Sequence, residues 1–234
     1  MLREAISIVL TCSIALVSVT VWATENTDAA IELYKDQDYQ AAFKSFNELA
    51  KEGDPIAQYY LGNMYAAGQG TEPDMKSAFK WFTKSAEQGH AKAQFKTGLA
   101  YSEGFGTEKD PAKAFEWFKK AAEKGVPQAQ FYVAVAYQEG QLVKKDLIEA
   151  AKWLKLAARQ GIPEAQTNLG YLYSKGLGLR QDNVLAFAWF SIAAHAGYEQ
   201  AEANQQILVP KMSEEEIREG EALAQKIYRR ISGS

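Results

Sequence analysis

The sequence predicts an all-α solenoid built from two-helix repeats and closed by a C-terminal helix, and three observations carry that expectation. Alanines at 57, 93, 129, 165 and 201 stand 36 residues apart, and tryptophans at 81, 117, 153 and 189 keep the same step. Within each step the apolar residues recur at helical spacing in two blocks. Between the blocks stand a glycine-rich interruption and a recurring aspartate, Asp74, Asp110, Asp146 or Asp182. At 47% hydrophobic and 24% charged residues over 234, the chain has the balance of an ordered, core-forming protein.

Residues 1–23 are expected to be a signal peptide. Arg3 precedes an uncharged, mostly apolar run from Ala5 to Val21, and Val21-Trp22-Ala23 offers a cleavage site before Thr24. Left uncleaved, Ala5 to Ala23 is long enough to cross a bilayer, so a membrane is a partner only in that case. Cleavage removes Cys12, the single cysteine. Residues 24–56 read as a shortened first repeat. Ala42, Phe43, Phe46 and Ala50 keep the register of a second helix, but Tyr34 to Asp38 leaves no room for a Gly-x-Gly loop.

Four full repeats follow at 57–92, 93–128, 129–164 and 165–200. In each, helix A carries Ala57, Leu61 and Tyr65 or their equivalents at i, i+4 and i+8, and Gly62 and Gly98 are expected to admit another backbone. The pair Gly68 and Gly70 ends helix A; Asp74 caps helix B, where Ala78, Trp81, Phe82, Ser85 and Ala86 form one apolar face with the tryptophan in the core. The third repeat departs most, with Ala134 for the helix A glycine and Leu142 for the second loop glycine, so its turn is expected to differ. Residues 201–234 form the C-terminal cap: Pro210 closes a helix, Ser213 and Glu216 make a capping box, and Ile217, Ala224, Ile227 and Ile231 cover the last repeat.

Ala57…Leu61-Gly62…Tyr65…Gly68-x-Gly70…Asp74…Ala78…Trp81…Ala86…Gly89 resembles the Sel-1-like repeat, a relative of the tetratricopeptide repeat, and the Met212 to Ile217 ending is similar to that of bacterial members. The resemblance implies a right-handed α-α superhelix and an exported bacterial protein, placed in the periplasm or secreted after cleavage behind Ala23. Some cysteine-rich relatives are linked to β-lactam binding or hydrolysis, but those are stapled by disulfides that this chain lacks.

The composition excludes several classes. A net charge of −3 gives no basic field for nucleic acid, and one cysteine with two histidines builds no disulfide framework or zinc site. His90 and His195 lack an orienting carboxylate at sequence spacing. The Gly-x-Gly pairs lack the strand before and the Lys-Ser/Thr after that a phosphate loop needs. No activated serine, cofactor or metal is expected, and the chain reads as a non-enzyme.

Function then falls to the side of helix A that the repeated residues leave free, which the helical wheel assigns to Tyr59 and Asn63, Phe95 and Leu99, Phe131 and Val135, and Tyr171. This face is expected to be concave and to bind a protein or extended peptide of the cell envelope, as a scaffold or adaptor would; for Tyr59, Phe95 and Phe131 packing between neighbouring A helices is the equal alternative, while Asn63, Leu99, Val135 and Tyr171 vary in type. The alternative is a modulator of cell-wall or exopolysaccharide machinery that holds peptidoglycan or polysaccharide on its aromatic rings.

Overall fold

The computed structural model describes residues 26–233, which form two compact units, 26–110 and 111–233. All regular structure among the described residues is helical. The expected signal segment lies outside them, and no described helix is long and apolar enough to cross a membrane.

In the first unit, α1 covers 26–35 and turns through Gln37, at φ 63°, into α2 (Tyr39–Glu52). This short turn replaces the glycine loop of the later repeats, as the spacing requires. Helices α3 (Pro55–Ala67), α4 (Met75–Glu87) and α5 (Ala91–Glu103) follow. Phe46, Leu61 and Met64 are fully buried in the core that α2 and α3 share with α1. The phenyl ring of Phe46 stacks on Tyr60 at 4.9 Å.

The second unit contains α6 (Pro111–Glu123), α7 (Pro127–Glu139), α8 (Leu147–Arg159), α9 (Pro163–Lys175), α10 (Asn183–His195) and α11 (Glu199–Leu208). A single 3-10 turn, Val209–Lys211, then leads to α12 (Glu214–Ser232). Its core is Leu154, Leu169, Leu172 and Trp189, with Ala224, Ile227 and Ile231 of α12 laid against it.

Repetition of sequence becomes repetition of hydrogen bonds. The N–H groups of Asp74, Asp110, Asp146 and Asp182 each donate to the carbonyl of Tyr65, Tyr101, Tyr137 or Tyr173, at 2.9–3.0 Å, which closes the A–B loop. The carboxylates of Asp74, Asp146 and Asp182 then accept from N–H groups of the next helix, the capping that the sequence predicts. Gln58, Gln94, Gln130 and Gln166, all buried, donate from Nε2 to the carbonyls of Ala50, Ala86, Ala122 and Ala158 at 3.1–3.3 Å. Each gives a second donor to a helix-end carbonyl that already accepts the N–H of Gly53, Gly89, Gly125 or Gly161.

Two local expectations need correcting. Gly62 faces the Phe82 ring of its own repeat, to which an added Cβ would stand at 2.7 Å, and not another backbone. The tryptophans are not uniformly core: Trp81 and Trp189 are buried, while Trp117 and Trp153 are half-buried, and the ammonium groups of Lys84 and Lys120 lie over the Trp81 and Trp117 rings.

The second loop glycine is set by close approach. Gly106, at φ 71°, lies directly against the Met75 carbonyl at the start of α4, where a Cβ would collide with backbone; Gly70 meets Tyr39 and Gly178 meets Leu147 in the same way. In the third repeat Leu142 occupies this place and is 47% exposed, so that loop differs as its sequence implies.

α12 docks on α10 through a further close approach, with Gly220 facing the Phe187 ring at 2.7 Å from its notional Cβ. Ser213 and Glu216 form the expected capping box, and the Ser213 N–H donating to the Glu216 carboxylate holds its pKa below the usual value.

Two outcomes follow from these contacts. Gly106→Ala should lower Tm far more than Gly125→Ala: both positions have positive φ, worth about 1 kcal/mol of strain, but only Gly106 has backbone in the way. Because Glu216 has a lowered pKa when folded, its contribution is present above the unfolded value of about 4.3 and fades as pH falls through the folded value. The Tm difference between wild type and Glu216→Gln should therefore be present at pH 7 and vanish towards pH 3.

Candidate interaction surface on the A helices

The structure places the seven residues of the predicted face on α3, α5, α7 and α9, with unequal exposure. In the first unit Tyr59 is half-buried, its ring centroid 4.8 Å from His90 and 6.1 Å from Phe82. Asn63, one turn on, donates from Nδ2 to the Tyr59 carbonyl at 3.0 Å. On α5 both Phe95 and Leu99 are half-buried. In the second unit Phe131 packs beside Tyr132 and against the core around Leu154, and Val135 is half-buried. Tyr171 alone of the seven is exposed, at 43%.

Tyr171 borders a cleft of about 330 Å³ in the second unit, between the C-terminal end of α9, the start of α10 and α11. Its other residues include Lys175, Asn183, Asn204, Ile207 and Lys211. Sequence reasoning missed the α11 side, although the signal was available: Ile207 stands 36 residues after Tyr171, in the register of Asn63, Leu99 and Val135. The free face thus continues onto the helix that begins the cap. Ile207 is 63% exposed.

His90 caps α5, its Nδ1 accepting from the Ala93 N–H at 3.2 Å, and His195 meets the Tyr228 ring edge-on at 5.2 Å. No group of three potential metal-ligating side chains occurs among the described residues. A Ser-x-x-Lys spacing, overlooked in the sequence, does occur once as Ser77-Ala78-Phe79-Lys80. It lies in the first turns of α4, where the Ser77 hydroxyl donates to the Asp74 carboxylate at 2.6 Å, a capping contact and not an activated nucleophile.

Four tandem helix pairs that share alanine, glutamine, tyrosine, aspartate and tryptophan at matching positions define a helical-repeat protein. The Sel1 repeat model matches residues 55–90, 91–126, 127–162 and 163–198 in an unbroken run, and the chain belongs to the Sel1 repeat family. Its period is that of the sequence, with each boundary two residues earlier. Among solved structures, a Sel1 repeat protein from Oxalobacter formigenes is similar at 33% identity and TM-score 0.69, over 76% of this chain and 73% of that one. The c5321 protein, a protective antigen of uropathogenic Escherichia coli with this repeat fold, is similar at 29% identity and TM-score 0.66, over 90% of this chain and 54% of its own. No curated protein matches. Sel1 repeat proteins generally mediate protein–protein interaction, and the fold is typically a non-catalytic scaffold.

The uneven burial separates packing from surface. Tyr59→Ala, which removes contacts to His90 and Phe82, should destabilise the protein by roughly 1–3 kcal/mol, whereas Tyr171→Ala should change stability by less than about 0.5 kcal/mol. Paired thermal melts of the two variants check this.

Proposed function

We propose that the protein is a non-catalytic scaffold or adaptor of the bacterial cell envelope that binds a protein or an extended peptide on the free faces of its A helices. The observation that carries the reading is the cleft beside Tyr171. There the free face exposes an aromatic and an aliphatic side chain with polar groups around them, the arrangement of a recognition surface. The envelope location rests on Met1 to Ala23, whose composition suits export; intact mass of the exported protein beginning at Thr24 tests it.

Glycan binding is the second reading, and Tyr132 favours it. The residue is 39% exposed and its ring lies flat on Phe118 at 4.5 Å, an arrangement suited to stacking on a sugar. Sedimentation with purified peptidoglycan, reduced by Tyr132→Ala, would support that alternative over the first.

The central test substitutes Leu99→Glu together with Val135→Glu, placing a charge on the free faces of α5 and α7. Crosslinking in cells followed by mass spectrometry should show specific partners captured by the wild type and lost by the variant, with its helical spectrum and melt close to wild type. Capture that persists places binding elsewhere; collapse of the fold makes these half-buried residues packing and overturns the assignment.

A further inference from the structure

We propose that the cleft beside Tyr171 selects an acidic segment of extended peptide, an inference that rests on the protein-binding reading above and narrows it to a ligand chemistry. The charge around the cleft differs in sign from that of the whole chain. The protein carries a net charge of −3, yet Lys175 and Lys211 border this cleft and no carboxylate lines it. Asp182, next to Asn183 in sequence, turns its carboxylate to the Leu185 N–H at 2.8 Å, as a helix cap. Among the described residues neither lysine pairs with a carboxylate. Two exposed ammonium groups beside a partly desolvated cleft favour carboxylates brought in by a partner.

The remaining groups suit a main chain with an apolar side chain. Tyr171 and Ile207 are 43% and 63% exposed and give a surface for one aliphatic or aromatic residue. The Asn183 side chain makes no hydrogen bond among the described residues, and the Asn204 side chain uses only Oδ1, accepting from Gln200 at 3.3 Å. A carboxamide presents both donor and acceptor, which matches the alternating C=O and N–H groups of an extended peptide. A cleft of about 330 Å³ holds part of such a segment, so the ligand is a short stretch within a longer partner.

The test is fluorescence anisotropy of the purified full chain with fluorescein-labelled peptides, acetylated and amidated so that only side chains carry charge. Each has one leucine flanked by two glutamates, two glutamines or two lysines on either side. The glutamate peptide should bind at least ten-fold more tightly than the glutamine peptide, and its affinity should fall with added salt. The lysine peptide should not saturate. Lys175→Gln with Lys211→Gln should remove most of the advantage of the glutamate peptide, and Ile207→Ser should weaken glutamate and glutamine peptides alike, with unchanged melts. Equal affinity for the three peptides, or indifference to the lysine substitutions, overturns the proposal. Displacement of the peptide by a neutral N-acetylglucosamine oligosaccharide would give the cleft to glycan, and a dimer seen by light scattering that the lysine substitutions dissociate would give it to a second copy; either result also overturns it. Partner capture that Leu99→Glu with Val135→Glu abolishes, but the lysine substitutions leave intact, would sink this inference alone and keep the broader reading. Capture insensitive to both pairs would sink the broader reading as well.

Discussion

The buried glutamine at the start of each A helix is the contact on which the repeat depends. A B helix ends with carbonyls that lie beyond its regular ladder, each met by one N–H of the closing turn, and the next repeat covers that end. Gln58, Gln94, Gln130 and Gln166 reach back eight residues and add a second donor, from inside the core, to carbonyls that the N–H groups of Gly53, Gly89, Gly125 and Gly161 already meet. Once that donor is fixed, the corner between one repeat and the next has one geometry, and alanine at 57, 93, 129 and 165 is small enough to let the helices close around it. Gln58 and Gln130 also accept, from Gln88 and Gln160 at 2.8 Å, so in two repeats the carboxamide is used at both ends. A buried amide with its partners in place specifies register in a way that a greasy contact cannot.

An array of identical repeats has no natural end, and α10 shows how this one stops. In earlier B helices the outward positions are mostly charged: Lys80, Glu116 and Lys152 stand where α10 has Ala188, and Lys84, Lys120 and the exposed Leu156 stand where it has Ile192. Ala188 and Ile192 are both buried, and α10 is apolar nearly all round, as a helix enclosed by neighbours must be. α12 provides the missing cover, with Gly220 letting it come down onto Phe187 and Ala224, Ile227 and Ile231 filling the groove. Charge was removed from one helix and an amphipathic helix added further along the chain.

This pairing marks the limit of what the sequence revealed. The helix pairs, the aspartate caps, the glycine turn and the capping box were all legible, because each is a local requirement repeated four times or a motif with its own spacing. The cap itself was legible from the apolar stripe of α12, but not its seat, since the change of outer residues on α10 has meaning only against the other three B helices. Gln58 and its equivalents were visible as a repeat without a role, because the carbonyl they serve belongs to the preceding helix. On the free face the recurring aromatic at Tyr59 left packing and binding equally open while the varied position of Tyr171 favoured binding, and the contacts separate them: one leans on His90 and Phe82, the other stands open beside Lys175.

The same logic explains where specificity can reside. Positions that recur are committed to holding repeats together, so a substitution there is felt as lost stability and cannot be spent on recognition. The free register reads Asn63, Leu99, Val135, Tyr171 and Ile207, five positions with five residue types, because nothing in the scaffold dictates them. Openness depends on what stands next to each. Leu99 and Val135 are half-buried, while Tyr171 and Ile207 are left open where the array passes from its last full repeat into the cap. There α11 is followed by α12, which packs on α10, so the α9–α11 side keeps its cleft. The device that ends the array also leaves a recognition surface beside it, and that surface draws its chemistry from residues the repeat pattern does not constrain.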